Sequence, residues 1–110
     1  MVSCIHIVRY EWNGEKNQLN HQKHRGISFE LATLVFEDPR WMLRFDRWDE
    51  TGEPRWHAIG SVAVEPQVDA VLLVVHVYRE DHHGEEIIRI ISARRASHND
   101  VRRYQEQDLD

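Results

Sequence analysis

Only one cysteine, Cys4, occurs in the 110 residues, so no intramolecular disulfide can form and nothing points to an oxidising compartment. Within the predicted opening strand, with no base beside it, Cys4 reads as a structural thiol rather than a nucleophile. Five glycines and three prolines leave no glycine-rich phosphate loop, and neither a G-x-S-x-G turn nor an H-E-x-x-H pair is present. Long apolar runs are missing as well. The stretch from Ser61 to Tyr78 is interrupted by Glu65, Pro66 and Asp69 and falls short of the ~20 apolar residues of a membrane span. Residues 1–10 lack the apolar core and cleavage site of a secretory signal, so a cytoplasmic protein with no membrane partner is expected. Positive charge is scarce overall: 14 Lys and Arg against 19 Asp and Glu give a net charge of −5. That balance argues against a protein that coats nucleic acid over its whole surface.

What charge there is lies unevenly. Between Arg89 and Tyr104 stand Arg89, Arg94, Arg95, Arg102 and Arg103 against the single acid Asp100, +4 in all, so the rest of the chain carries −9. A basic edge on an acidic body suits a confined phosphate site better than a long duplex track. With 41% hydrophobic residues, the chain can bury one core unaided and is read as a single domain over residues 1–110.

Hydrophobic periodicity then orders the elements. Ile5, Ile7 and Val8 suggest an opening strand ending at Trp12, and Asn13 is an N-cap for a helix to about His24. That helix has Leu19 as its only apolar residue between Glu15 and His24, so packing alone does not explain it; Lys16, Asn20 and His24 follow one another at four-residue spacing, with Lys23 adjacent. Gly26 stops it, and Ser28 caps a strongly apolar second helix, with Ile27 and Ala32 as a hydrophobic staple and Glu37-Asp38-Pro39 as its end. From Trp41 the period becomes two, with Trp41, Leu43 and Phe45 alternating against Met42, Arg44 and Asp46 as in a half-buried strand. Turns at 49–53, 65–67 and 81–84 separate this strand from strands at 55–63, 70–78 and 87–93, and the continuous valine-rich run at 70–78 predicts a central strand covered on both faces. Ser97 or Asn99 caps a short last helix, and 105–110 is expected to fray. Helices grouped in sequence and four hairpin-linked strands predict an α+β fold with a mainly antiparallel sheet of four to five strands, an N-terminal helix pair and a short C-terminal helix.

The chemistry on offer is cationic. The eight histidines are scattered, and the adjacent pair His82-His83 falls in a turn where neighbouring side chains are expected to diverge, so neither a metal nor another cofactor is assigned. Tryptophans 12, 41, 48 and 56 read as core or rim aromatics. In strict alternation Arg89, Ile91, Ala93 and Arg95 share one face of the last strand, and Ile88, Ile90, Ser92 and Arg94 the other. An arginine in such a strand is costly unless paired or offered to an anion. For Arg89 an internal salt bridge and a phosphate contact both remain open. RNA cleavage without metal needs a base for the 2′-hydroxyl, positive charge on the transition state and an acid for the leaving oxygen. Lys16, Lys23 and His24 from the first helix, with Arg89, Arg94, Arg95 and Tyr104 from the end of the chain, supply all three if the two segments meet.

Three blocks of residues carry a resemblance. Trp12-Asn13-Gly14-Glu15-Lys16-Asn17 with Asn20, Lys23-His24 and Gly26-Ile27-Ser28-Phe29-Glu30 form the first; Val35-Phe36-Glu37-Asp38-Pro39 with Glu53, Arg55 and Ile59-Gly60 the second; Ile88 to Ala96 with Arg102 and Tyr104 the third. Together they resemble the BrnT family of type II toxin–antitoxin toxins, whose fold is similar to that of RelE and ParE toxins. Arg25 is inserted before Gly26 relative to that pattern, and Asn13 replaces an Asp that would cap equally well. The resemblance implies a ribonuclease that cuts RNA and blocks translation. It further implies a BrnA-type antitoxin with a ribbon-helix-helix part, through which alone operator DNA is contacted. Carried onto this chain, the implied site residues are Lys16, Lys23, His24, Arg55, Arg89, Arg94, Arg95 and Tyr104: His24 as general acid or base, the arginines as phosphate clamps and Tyr104 as a stacking or orienting group, with Arg102 and Arg103 as further RNA contacts. Two other readings compete. One is a catalytically weak binding protein that acts as co-repressor with its antitoxin; the other is an ordinary α+β domain whose arginines make structural salt bridges.

Overall fold

The computed structural model describes residues 8–107. Its elements are β1 (Val8–Glu11), α1 (Gly14–Lys23), α2 (Phe29–Ala32), a 3-10 segment (Thr33–Glu37), β2 (Met42–Trp48), β3 (Pro54–Glu65), β4 (Val68–Glu80), β5 (Glu86–Arg95) and α3 (His98–Glu106). The fold is therefore α+β, as the grouping of elements predicts. Cys4 and most of the opening strand lie outside the described residues, as do residues 108–110.

The strands form one sheet in the order β1-β5-β4-β3-β2. Short turns impose antiparallel pairing from β2 to β5, whereas β1, joined to β5 by no hairpin, pairs with it in parallel through Val8↔Glu86 to Glu11↔Arg89. β4 is the middle strand, and Leu72, Leu73, Val74, His76 and Val77 are buried, as a continuous apolar run requires.

Local signals set the helix ends. The Asn13 carboxamide accepts from Lys16 N–H, the Ser28 hydroxyl from Leu31 N–H and the Ser97 hydroxyl from Asp100 N–H, so each helix begins at a side-chain cap. The second helix is regular only to Ala32 and tightens into the 3-10 segment. Even so, Phe29, Ala32 and Val35 are buried against Ala58, Val62, Leu72, Val74, Ile90 and Ala93. Gly60 is what lets that segment lie so close: a Cβ there would stand 3.0 Å from Val35 Cγ1 and 3.1 Å from its carbonyl. α3 covers part of the opposite face, placing Tyr104 on Ile59 and Leu73. Rather than fraying, Gln105 and Glu106 complete this helix, and Gln107 Nε2 donates to the Arg40 carbonyl at 2.6 Å.

Two expectations from strict alternation are corrected. β5 carries a bulge: Ser92 pairs with Val75 but Ile90 with His76, so Ile91 is the extra residue. Beyond it the faces exchange. Ala93 and Arg95 join Ile88 and Ile90, while Arg94 falls on the face of Arg89. In β2 the apolar set is the more exposed one: Leu43 and Phe45 are open to solvent while Arg44 and Asp46 are half-buried. The helices cover only the half of their sheet face nearest β5's C-terminal end. The other half remains a groove of about 450 Å³ beside Phe36 and Trp41.

Candidate active site

The two cationic segments do meet, at the free edge of β5 rather than across the sheet. β1 pairs with β5 only as far as Arg89, so beyond the bulge that edge of β5 has no strand beside it. α1 takes the place of a strand. Asn20, buried in an otherwise polar helix, accepts from Ala93 N–H at 3.1 Å through Oδ1 and donates through Nδ2 to the carbonyls of Ala93 and Ile27, both at 2.8 Å. One turn earlier, Asn17 accepts from Phe29 N–H at 2.8 Å and donates to Glu30 at 2.7 Å, tying α1 to α2. These polar pins explain a helix that packing could not. Sequence reasoning placed Asn20 on the face of Lys16 and His24 without giving it a role; the signal was a near-absence of apolar residues in a helix that must nevertheless be held.

Pinned this way, the end of α1 sets Lys23, His24 and Arg25 around a shallow pocket of about 300 Å³ with Arg94 and Arg95. The helix closes through His24 N–H on the Asn20 carbonyl and Gly26 N–H on the His21 carbonyl. Arg25 and Gly26 both take positive φ, 50° and 84°, which reverses the chain toward α2. Arg25 is thus a fifth member of the cluster.

Electrostatics distinguish this cluster from the paired arginines of the sheet, Arg44, Arg55, Arg79 and Arg89. Lys23, Arg25, Arg94 and Arg95 form no ion pair with a carboxylate among the described residues. Burial, reinforced by the charges of Lys23 and Arg94, lowers the pKa of His24 below its ordinary value, so the imidazole is neutral at pH 7. Unpaired cations gathered around a neutral imidazole form a site for an anion with a base in contact.

The remaining candidates lie elsewhere. Arg89 pairs with Glu11 on β1 at 3.4 Å, and Arg79 holds Glu53 through two bonds of 2.9 Å. Arg55 lies 3.6 Å from Asp49, whose carboxyl is held down to about 2 by the Thr51 hydroxyl and the Glu53 and Thr51 amides. Lys16 is exposed, two turns back along α1 from Lys23, and Arg102 and Arg103 are exposed on α3. Tyr104 is buried and donates its hydroxyl to Asp38, which also accepts from Ser61 N–H at 2.8 Å; burial and that carboxylate push the phenol up to about 12. Arg44 grips Asp100 at 2.6 Å and donates to His57 Nδ1 at 2.9 Å, leaving His57 Nε2 facing Asp46 at 3.4 Å, so both nitrogens of that second histidine near Arg94 are engaged. The adjacent His82 and His83 do not diverge; their rings meet at a tilt with centroids 4.0 Å apart. Among the described residues no helix is long and apolar enough to cross a membrane.

No curated protein matches the chain. A family model does: that of the ribonuclease toxin BrnT, of type II toxin–antitoxin systems, matches residues 12–100, which include both caps of the helix pair, Asn17 and Asn20, and the Lys23, His24, Arg94 and Arg95 cluster. The chain belongs to the BrnT family, and is a type II toxin with ribonuclease activity whose system implies an antitoxin partner and an RNA target.

Proposed function

We propose that this toxin is an endoribonuclease that needs no metal and cuts RNA at the cluster on the free edge of β5. The observation that carries the reading is the meeting of Lys23, Arg94 and Arg95, none of them neutralised by a described carboxylate, with the neutral His24. His24 takes the proton of the ribose 2′-hydroxyl, and the 2′-oxygen attacks phosphorus. Arg94 and Arg95 hold the non-bridging oxygens and stabilise the charge that grows on them. The 5′-oxygen leaves with a proton from Lys23, because a guanidinium does not surrender its own. The products are a 2′,3′-cyclic phosphate and a 5′-hydroxyl end, and His24 and Lys23 exchange their protons with water afterwards. Lys16, on the same helix face as Lys23, extends the positive track for a neighbouring phosphate.

The toxin acts in the cytoplasm, where cleavage of RNA stops translation, and a BrnA-type ribbon-helix-helix antitoxin neutralises it and makes the operator contacts. The test is incubation of antitoxin-free protein with RNA in excess EDTA. Scission by the wild type, lost in His24→Ala and Arg94→Ala, is the expected result. Intact RNA with folded protein moves the function to a co-repressor that binds its antitoxin without turnover, and scission that EDTA abolishes removes the metal-free mechanism.

A further inference from the structure

The open half of the helix-bearing sheet face takes no part in this chemistry. Its groove crosses all five strands, from Tyr10 on β1 to Leu43 on β2, with Phe36 and Trp41 as one wall. Four inter-strand steps of about 4.8 Å make it about 19 Å long. At about 1.5 Å per residue, that is the length of a helix of about 13 residues. Leu43 and Tyr78 are 54% and 47% exposed, and Phe45, edge-on to Trp56 and tilted against Trp48, prolongs the apolar surface along β2 and β3. A contiguous surface of this kind marks a contact with another molecule.

Two further features specify the occupant. On the floor, His76 is 3% exposed, and its Nδ1 lies 3.3 Å from the Val74 carbonyl. A carbonyl only accepts, so Nδ1 carries the hydrogen and Nε2, with no partner among the described residues, is left as an acceptor. Along one side, toward the turn between β4 and β5, Glu80 and Glu86 stand opposite each other, on the same face as Tyr78 and Ile88, and Glu86 accepts from the Tyr78 hydroxyl at 3.1 Å. Carboxylates along this side favour a cation on the molecule that lies in the groove. Glu37 adds a third carboxylate close to Tyr10. This acidic side repels a phosphate chain, whereas the cationic cluster lies at the opposite end of β5, nine residues and about 30 Å away.

We propose that the groove is the docking site of one amphipathic antitoxin helix of three to four turns. Its apolar stripe lies across the strands, with a hydrogen-bond donor over His76 and a lysine or arginine on the side that faces Glu80 and Glu86. The proposal rests on the antitoxin partner that family membership implies and is independent of where the RNA is cut.

The test titrates the purified toxin with the antitoxin of the same pair, purified alone, by calorimetry, beside sedimentation and RNA-cleavage assays. Leu43→Glu and Glu80→Lys are the variants, both at surface positions that leave the fold and the cationic cluster untouched. Antitoxin affinity is expected to fall at least tenfold in Leu43→Glu and several-fold in Glu80→Lys. Both variants should cut RNA as the wild type does and should escape neutralisation at equimolar antitoxin. Affinities within threefold of wild type in both variants overturn the proposal. So does a dimer of the free toxin that Leu43→Glu dissociates, which gives the groove to a second copy, and so does protection of the groove by RNA. A wild type without ribonuclease activity, whose groove variants still lose the antitoxin, refutes the catalytic reading and supports this one.

Discussion

Asn20→Ala probes the link on which the whole site depends. The substitution deletes three hydrogen bonds, to Ala93 N–H, Ala93 C=O and Ile27 C=O, in a place where Ala93 and Ile27 are themselves buried. Each bond contributes about 1 kcal/mol net, and each backbone group left without a partner costs about 1–3 kcal/mol. Water entering the space of the lost carboxamide recovers part of this, so the loss is about 3–5 kcal/mol. Against a total stability of about 5–15 kcal/mol this is a large fraction. It corresponds to a fall in Tm of roughly 12–25 °C at about 4–5 °C per kcal/mol for a chain of this size. Urea denaturation measures the first quantity and calorimetry the second. RNA cleavage is expected to fail even at temperatures where the variant is folded, because His24 is held near Arg94 only through this end of α1. Asn20→Asp sharpens the test. Its carboxylate keeps the bond from Ala93 N–H but faces two carbonyl oxygens, so its folded pKa is raised above about 3.9. The penalty is greatest at pH 7 and shrinks as the pH falls and the carboxyl takes up the proton it can donate. A loss below about 1 kcal/mol in Asn20→Ala, or a penalty in Asn20→Asp that ignores pH, refutes the reasoning.

Other consequences are equally direct. Arg94→Ala should reduce RNA cleavage by two or more orders of magnitude and lower the slope of log affinity against log salt by about 0.7, one phosphate contact on a single strand, whereas Arg89→Ala, which loses only the pair with Glu11, should keep activity and cost at most about 1 kcal/mol in stability. The acid limb of kcat/KM should have its midpoint below 6.5, since His24 is depressed by burial and by Lys23 and Arg94, and Arg94→Gln should move that midpoint upward in whatever activity remains. Burial holds His76 down to about 4 against an ordinary 6.5, so below pH 6.5 the unfolded chain binds a proton that the folded one refuses. Stability should therefore fall by about 1.4 kcal/mol per pH unit, about 3 kcal/mol between pH 6.5 and 4, and a His76→Gln variant with the same profile would sink that account. Tyr104→Phe should cost about 1–2 kcal/mol at pH 7 through the lost bond to Asp38 and leave RNA cleavage unchanged, as a shift in the urea midpoint with normal turnover would show.

The sequence by itself determined the elements and their order. Caps at Asn13, Ser28 and Ser97, the switch of period at Trp41 and the turns at 49–53 and 81–84 are local signals, and each acts within a few residues of where it is written. It also named the two cationic segments, because charge composition needs no coordinates. What tertiary structure alone decided was which cations share a site. Arg89 and Arg94 are indistinguishable in sequence, yet one stands beside Glu11 on β1 and the other beyond the point where β1 ends. The bulge at Ile91 decided their faces, by one extra residue that alternation does not foresee. Tyr104, read as a group that meets RNA, is buried against Asp38 because α3 folds back on the sheet. The apolar side of β2 faced an empty groove rather than the core because the helix pair is too short to cover five strands. Pairing, burial and coverage are properties of residues tens of positions apart, and their energies exist only once the chain has brought those residues together.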